Sequence, residues 1–112
     1  DQITVVGERG DGIHAYHLLV ARLPNRDVTM KKLSDAGIGC GIHYPIPVHL
    51  QKAYAPMALR AGSYPVSESL AGEILSLPIY AEMTEEQIHV VVEQLINAVK
   101  EADYEVDRRA IS

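Results

Sequence analysis

Residues Gly41-Ile42-His43-Tyr44-Pro45-Ile46-Pro47-Val48-His49-Leu50-Gln51-Lys52-Ala53-Tyr54 gather two imidazoles, two phenols and a carboxamide around two prolines. Imidazole donates, accepts or carries a proton near neutral pH, and phenol and amide tips add directional hydrogen bonds. Pro45 and Pro47 fix their own φ and push the residues before them toward extended backbone, so the loop is stiff. A stiff loop presents polar tips to a ligand at little entropic cost. On the residues alone a second reading stands beside this one: a rigid connector whose polar tips find backbone partners.

The other chemistry-bearing groups are weaker. His14 and His17 have the spacing of some zinc ligands, but on a strand residues three apart face opposite sides and cannot share an ion. His17 is expected as a half-buried strand residue bonded to backbone. Arg9-Gly10-Asp11 matches an integrin-binding tripeptide, a chance-level match in a chain with no secretory features. Glu85 and Glu86 sit where acids complement a helix start, and Glu93 lies off that helix's apolar stripe, so they form no catalytic carboxylate pair. Cys40 alternates with Ile38 and Ile42 and is expected buried and inert. The lysines are Lys31, Lys32, Lys52 and Lys100. None has the shielded, apolar setting that a Schiff-base lysine requires.

The elements that position the loop follow from pattern. Ile3-Thr4-Val5-Val6, the turn Gly7 to Gly12, and Ile13 to Arg22 predict a β-hairpin. Both faces of the second strand are largely apolar, which predicts cover on both sides. Asp27 is the expected N-cap of a helix over Val28 to Ala36, with Gly37 at its left-handed C′ position. Ile38 to His43 is the expected third strand, and glycines 39 and 41 on one of its faces suggest the close approach of a backbone or ligand. His49 to Ala55 predicts a turn or two of helix. Pro65 suits a first helical position, and Val66, Leu70, Ala71, Ile74 and Leu77 continue at helical spacing to Pro78. Thr84 and Gln87 form a capping box ahead of the stripe Ile88, Val91, Val92, Leu95, Ile96, Val99. Residues 104–112 are polar and expected to fray.

The whole is one α/β domain of the α+β two-layer kind over residues 1–112: a small three-stranded, mostly antiparallel sheet with helices packed on one face. With Phe and Trp absent, the core rests on Leu, Ile, Val, Ala and Met, with Tyr as the aromatic supplement. A formal net charge of −5 and no basic run longer than two argue against nucleic acid and anionic membranes. The lone cysteine rules out an internal disulfide and a multi-cysteine zinc site, so a reducing cytoplasm is expected. No run approaches ~18 apolar residues, and no signal-peptide pattern is present. The chain opens on Asp1 almost directly into a strand, as a fragment or a processed chain does.

In family order the chain carries His14, Tyr16 and His17, then Gly37-Ile38, Ile42-His43-Tyr44-Pro45, Pro47 and His49-Leu50-Gln51, then Leu75-Ser76-Leu77-Pro78-Ile79-Tyr80, then Thr84-Glu85-Glu86-Gln87-Ile88. From about His14 to about Val99 it closely resembles the C-terminal small domain of the nucleotide-sugar aminotransferases of the DegT/DnrJ/StrS type, fold-type I enzymes dependent on pyridoxal phosphate. The resemblance implies transfer of an amino group from glutamate to a keto-sugar on a nucleotide diphosphate, with pyridoxal phosphate as electron sink. It implies a homodimer with active sites between subunits. It implies that His43, Tyr44, His49 and Gln51 line the substrate side of the site. The His-Tyr-Pro-x-Pro form looks most like members acting on thymidine-diphosphate sugars. The cofactor lysine and phosphate-binding residues belong to an upstream domain that this sequence lacks, so the chain alone is expected to be inactive. Two further readings stand against it. One is a stand-alone module that holds a nucleotide-sugar or a protein without chemistry. The other is an independent enzyme with His43 or His49 as acid/base, which lacks a carboxylate nearby in sequence to orient the imidazole. A bare interdomain patch would promote association.

Overall fold

In the computed structural model, which describes residues 2–7 and 10–110, strands β1 (Thr4–Val5), β2 (Leu19–Arg22) and β3 (Ile74–Leu77) form one antiparallel sheet in the order β1-β2-β3. Around it lie helices α1 (Arg26–Asp35), α2 (Pro65–Glu73) and α3 (Glu85–Ala110), with two 3-10 segments, Val48–Leu50 and Lys52–Met57. The α+β class, the three strands and the antiparallel pairing are as expected. The identity of the third strand is not.

Register explains the core. Leu19 pairs with Leu77 and Ala21 with Leu75, so these four share one face. Ala21, Leu75 and Leu77 join Leu23 and Leu33 and the α3 residues Leu95, Ala98 and Val99 in one buried cluster. α1 packs along α3. Burying Leu95, Val99 and the β3 leucines is what holds helices to sheet, at roughly 1.5–3 kcal/mol per side chain.

The third strand comes from Ile74-Leu75-Ser76-Leu77, which was expected to continue the preceding helix. Helical spacing and a short buried strand look alike in so few apolar residues. Tertiary contact decides: the buried Arg26 guanidinium donates through Nη1 to the carbonyls of Ala71 (3.1 Å) and Ile74 (2.9 Å), closing the C-terminus of α2 without glycine. Residues 38–43 are correspondingly demoted. Only Gly41 bridges the sheet, exchanging backbone hydrogen bonds with Ser76 at 3.0 and 2.7 Å. The alternation of that run survives, since Ile38 is in the core and Cys40 and Ile42 pack against it. Cys40 is partly buried, and burial pushes its thiol up, in keeping with an inert role.

β2 is also shorter than the run Ile13 to Arg22. Residues 13–17 are exposed and outside the strand, with Ile13 fully exposed, so the expected double-sided cover and the half-buried His17 are both absent. The α1 N-terminus likewise moves from Asp27 to Asn25, whose left-handed backbone makes the turn into the helix without a side-chain cap. Its C-terminus follows expectation. Gly37 at φ 79° closes a Schellman turn in which Ile38 N–H donates to the Leu33 carbonyl (2.9 Å) and Gly37 N–H to that of Ser34 (3.0 Å). The capping box of α3 forms in both directions. Gln87 N–H donates to Thr84 Oγ1 (3.2 Å), and Thr84 N–H donates to Gln87 Oε1 (2.9 Å). α3 runs on to Ala110, through most of the segment expected to fray. Residues 111–112, and Arg9 of the Arg-Gly-Asp triplet, lie outside the described residues. Among the described residues no helix is long and apolar enough to cross a membrane.

Candidate functional site

The single bridge at Gly41 fixes where the proline loop leaves the sheet. Ser76 alternates with Leu75 and Leu77, so its side chain points to the face opposite α3. There His43 Nδ1 lies 2.9 Å from Ser76 Oγ. The imidazole folds back over Gly41, where a Cβ would come within 2.9 Å of His43 Cε1. The close approach expected at the glycine pair is thus made at position 41 by the loop's own histidine, while Gly39 faces open space. Tyr44 meets the His43 ring edge-on, with centroids 5.4 Å apart, and remains 70% exposed. Gln51 is half-buried and makes only a long 3.5 Å contact to the Ile46 carbonyl.

His49 has a different environment. Its side chain is 7% exposed, and Nε2 lies 2.9 Å from Glu68 Oε1. Tyr64 packs edge-on against the ring at 4.9 Å. Glu68 also accepts the backbone N–H of Gly62 (2.7 and 3.0 Å) and of Tyr64 (3.1 Å). Those two backbone bonds, then His49, hold the Glu68 carboxyl below the usual glutamate range. An ionised carboxylate only accepts, so His49 Nε2 must carry the proton. The pair ties the proline loop to α2. No carboxylate stands near His49 along the chain, because its partner is 19 residues downstream.

Beside this pair lies an open cleft of about 350 Å³ walled by Val48, Met57, Leu59, Tyr54 and Tyr64, with His49 and Ser67 as its other lining residues. Of the four expected site residues, His49 alone lines it. His43, folded onto Gly41 and Ser76, and the exposed Tyr44 lie on the same loop but outside the cleft. Tyr54, Met57, Tyr64 and Glu68 were not singled out. Tyr54 ends the polar segment and could have been found there, whereas Tyr64 and Glu68 carry no local signal. A second cleft of about 490 Å³ lies between residues 37–39 and the start of α3, walled mainly by Ile38, Pro78, Tyr80, Met83, Val90 and Val91.

The lysines do not fit a pyridoxal phosphate site. Lys31 pairs with Asp35 at 2.6 Å on the surface, and Lys52 and Lys100 are exposed. Lys32 bonds to Glu105 (2.7 Å) and Glu101 (3.1 Å), which raises its pKa, opposite to the shift an imine-forming amine needs. Among the described residues no three His, Cys, Asp or Glu side chains cluster to hold a metal.

The model of the DegT/DnrJ/EryC1/StrS aminotransferase family matches residues 2–96. The chain is 52% identical over 81 residues to the erythromycin biosynthesis sensory transduction protein EryC1 of Saccharopolyspora erythraea, covering 72% of this chain and 22% of that protein. It is 40% identical over 89 residues to the dTDP-3-amino-3,4,6-trideoxy-alpha-D-glucose transaminase of Micromonospora megalomicea, covering 79% of this chain and 23% of the other. Among solved structures, DesV of S. venezuelae in complex with a ketimine intermediate superposes with a TM-score of 0.79 at 35% identity, over 88% of this chain and 27% of DesV. The PLP form of the sugar aminotransferase Spr1654 of Streptococcus pneumoniae shares the fold, with a TM-score of 0.80 at 20% identity over 90% of this chain and 27% of that one. The chain therefore spans about a quarter of the length of the relatives it matches.

Proposed function

The chain belongs to the DegT/DnrJ/EryC1/StrS aminotransferase family, and on that premise we propose that it forms the small, substrate-facing domain of a sugar aminotransferase. The reaction is transfer of an amino group from glutamate to a keto-sugar carried on a nucleotide diphosphate, in a homodimer. Pyridoxal phosphate supplies the electron sink in such chemistry, and residues outside this chain hold it.

One observation carries the reading: the proline loop holds His43 by one ring nitrogen and leaves Tyr44 exposed beside it. With Nδ1 on Ser76, His43 offers Nε2 to a substrate hydroxyl or phosphate. The exposed Tyr44 hydroxyl and the weakly bonded Gln51 amide extend the same surface. His49, by contrast, positions the loop through Glu68.

The test is to add pyridoxal phosphate and glutamate to the purified chain, reduce with borohydride, and map the labelled peptides. Slow, scattered labelling of Lys31, Lys32, Lys52 and Lys100, with no conversion of a keto-sugar nucleotide, is expected. Stoichiometric labelling of one lysine, or turnover by the chain alone, would overturn the reading.

A further inference from the structure

We propose that Ser76 is the positioning residue of the proline loop: its buried hydroxyl anchors His43 Nδ1 whether or not that nitrogen carries a proton, and so leaves Nε2 free to give or to take a hydrogen bond. The proposal rests on the substrate-facing reading above and names the residue that governs what His43 offers.

Ser76 is 5% exposed, and its backbone is held from both edges of β3. It pairs with Val20 of β2 on one side and exchanges both backbone hydrogen bonds with Gly41 on the other, at 3.0 and 2.7 Å. Its Oγ therefore has a set place, 2.9 Å from His43 Nδ1. Gly41 fixes the ring from a second direction, because only a hydrogen fits where a Cβ would come within 2.9 Å of His43 Cε1. Tyr44 packs edge-on against the same ring. Among the described residues the ring is bonded through Nδ1 alone, Ser76 Oγ has no other partner, and no charged group bonds to either.

The chemistry of the anchor decides what the free nitrogen does. A carboxylate only accepts, so Glu68 fixes a proton on the His49 nitrogen it holds. A hydroxyl has one rotatable O–H and two lone pairs. Ser76 donates to Nδ1 when that nitrogen carries its lone pair, and accepts from it when it carries a proton. His43 is exposed, so Nε2 meets a ligand as a donor in one neutral tautomer and in the cation, and as an acceptor in the other tautomer. Sugar hydroxyls both donate and accept, whereas phosphate oxygens only accept. A histidine with a two-way anchor serves either group without letting go of the sheet. The two histidines of the loop thus divide the work: His49 is locked to α2, and His43 adapts on a fixed pivot.

The experiment is NMR of the His43 ring in the full chain from about pH 5 to about pH 8, in the parent, Ser76→Ala and Ser76→Cys. In the parent, the cross-peak between the proton on His43 Cε1 and the Gly41 α-protons is expected to persist on both sides of the ring's titration. Both variants are expected to lose it, with the His49 resonances in place as the check on folding. Ser76→Cys keeps the size but offers only a weak hydrogen bond, which separates bonding from packing. Loss of the cross-peak on either side of the titration in the parent, or its survival in the variants, would overturn the proposal. A second arm titrates dTDP-glucose. Ser76→Ala and His43→Ala are each expected to weaken binding about fivefold, and the double variant no further than His43→Ala, since Ser76 acts through His43. Additive losses would refute that route. A parent that binds no dTDP-glucose counts against the substrate-facing reading alone, because the ligand-free cross-peak still decides the role of Ser76.

Discussion

Glu68 accepts from three donors that enter from two segments: the Gly62 and Tyr64 amides and His49 Nε2. Glu68→Gln keeps the size but removes the charge that all three donors address. It is expected to lower the melting temperature by several degrees at neutral pH. The folded pKa of Glu68 is depressed, so its stabilisation is complete above the unfolded value of about 4.3 and is lost as pH falls through the folded one. The gap between parent and variant should therefore close in acid, which melts at stepped pH would show. A gap that persists unchanged would place the effect in packing instead. Gly41→Ala tests the other histidine. Its Cβ would force the His43 ring off Ser76, at about 1 kcal/mol for the lost hydrogen bond. The His43 ring resonances should move toward free-histidine values while the His49 resonances stay in place.

At the scale of elements, one long-range side chain fixes a boundary that local pattern does not. Arg26→Met would leave the Ala71 and Ile74 carbonyls unpaired at the α2–β3 junction, with an expected loss of about 2 kcal/mol in urea unfolding. Thr84→Ala removes the Gln87 N–H bond to Thr84 Oγ1, leaves the reciprocal Thr84 N–H bond to Gln87 Oε1, and is expected to cost about 1 kcal/mol. Hydrogen exchange should locate that loss in the first turn of α3, sparing its packed centre at Leu95 and Val99. These two variants separate an end closed by tertiary contact from an end closed by its own sequence.

For the molecule as a whole, the sheet and α1 cover only one side of α3. Leu95, Ala98, Val99 and Ala102 are buried, while Ile88, Val92 and Ile96, spaced four apart, are each more than 40% exposed. The radius of gyration is 16.2 Å, against ~13 Å for a compact domain of this length. An open apolar stripe of this kind favours burial against another surface. Concentration-dependent self-association is expected in sedimentation velocity, and Val92→Glu with Ile96→Glu should abolish it without unfolding the chain. A parent that stays monomeric at high concentration would remove the stripe as an interface.

Several features were legible in the residues because their partners lie within a few positions. The Thr84–Gln87 capping box, the Gly37 turn, Pro65 at a helix start and the apolar stripe of α3 are of this kind, as are the motifs that mark the family. What needed tertiary structure depended on groups far apart in the chain. Ile74–Leu77 is a strand because β2 and Arg26 receive it, and residues 38–43 are reduced to one bridge for the same reason. His43 owes its setting to Ser76, and His49 owes its setting to Glu68 and Tyr64. A local sequence window shows helical spacing and polar groups, but it cannot show which distant donor or acceptor will satisfy them once they are buried.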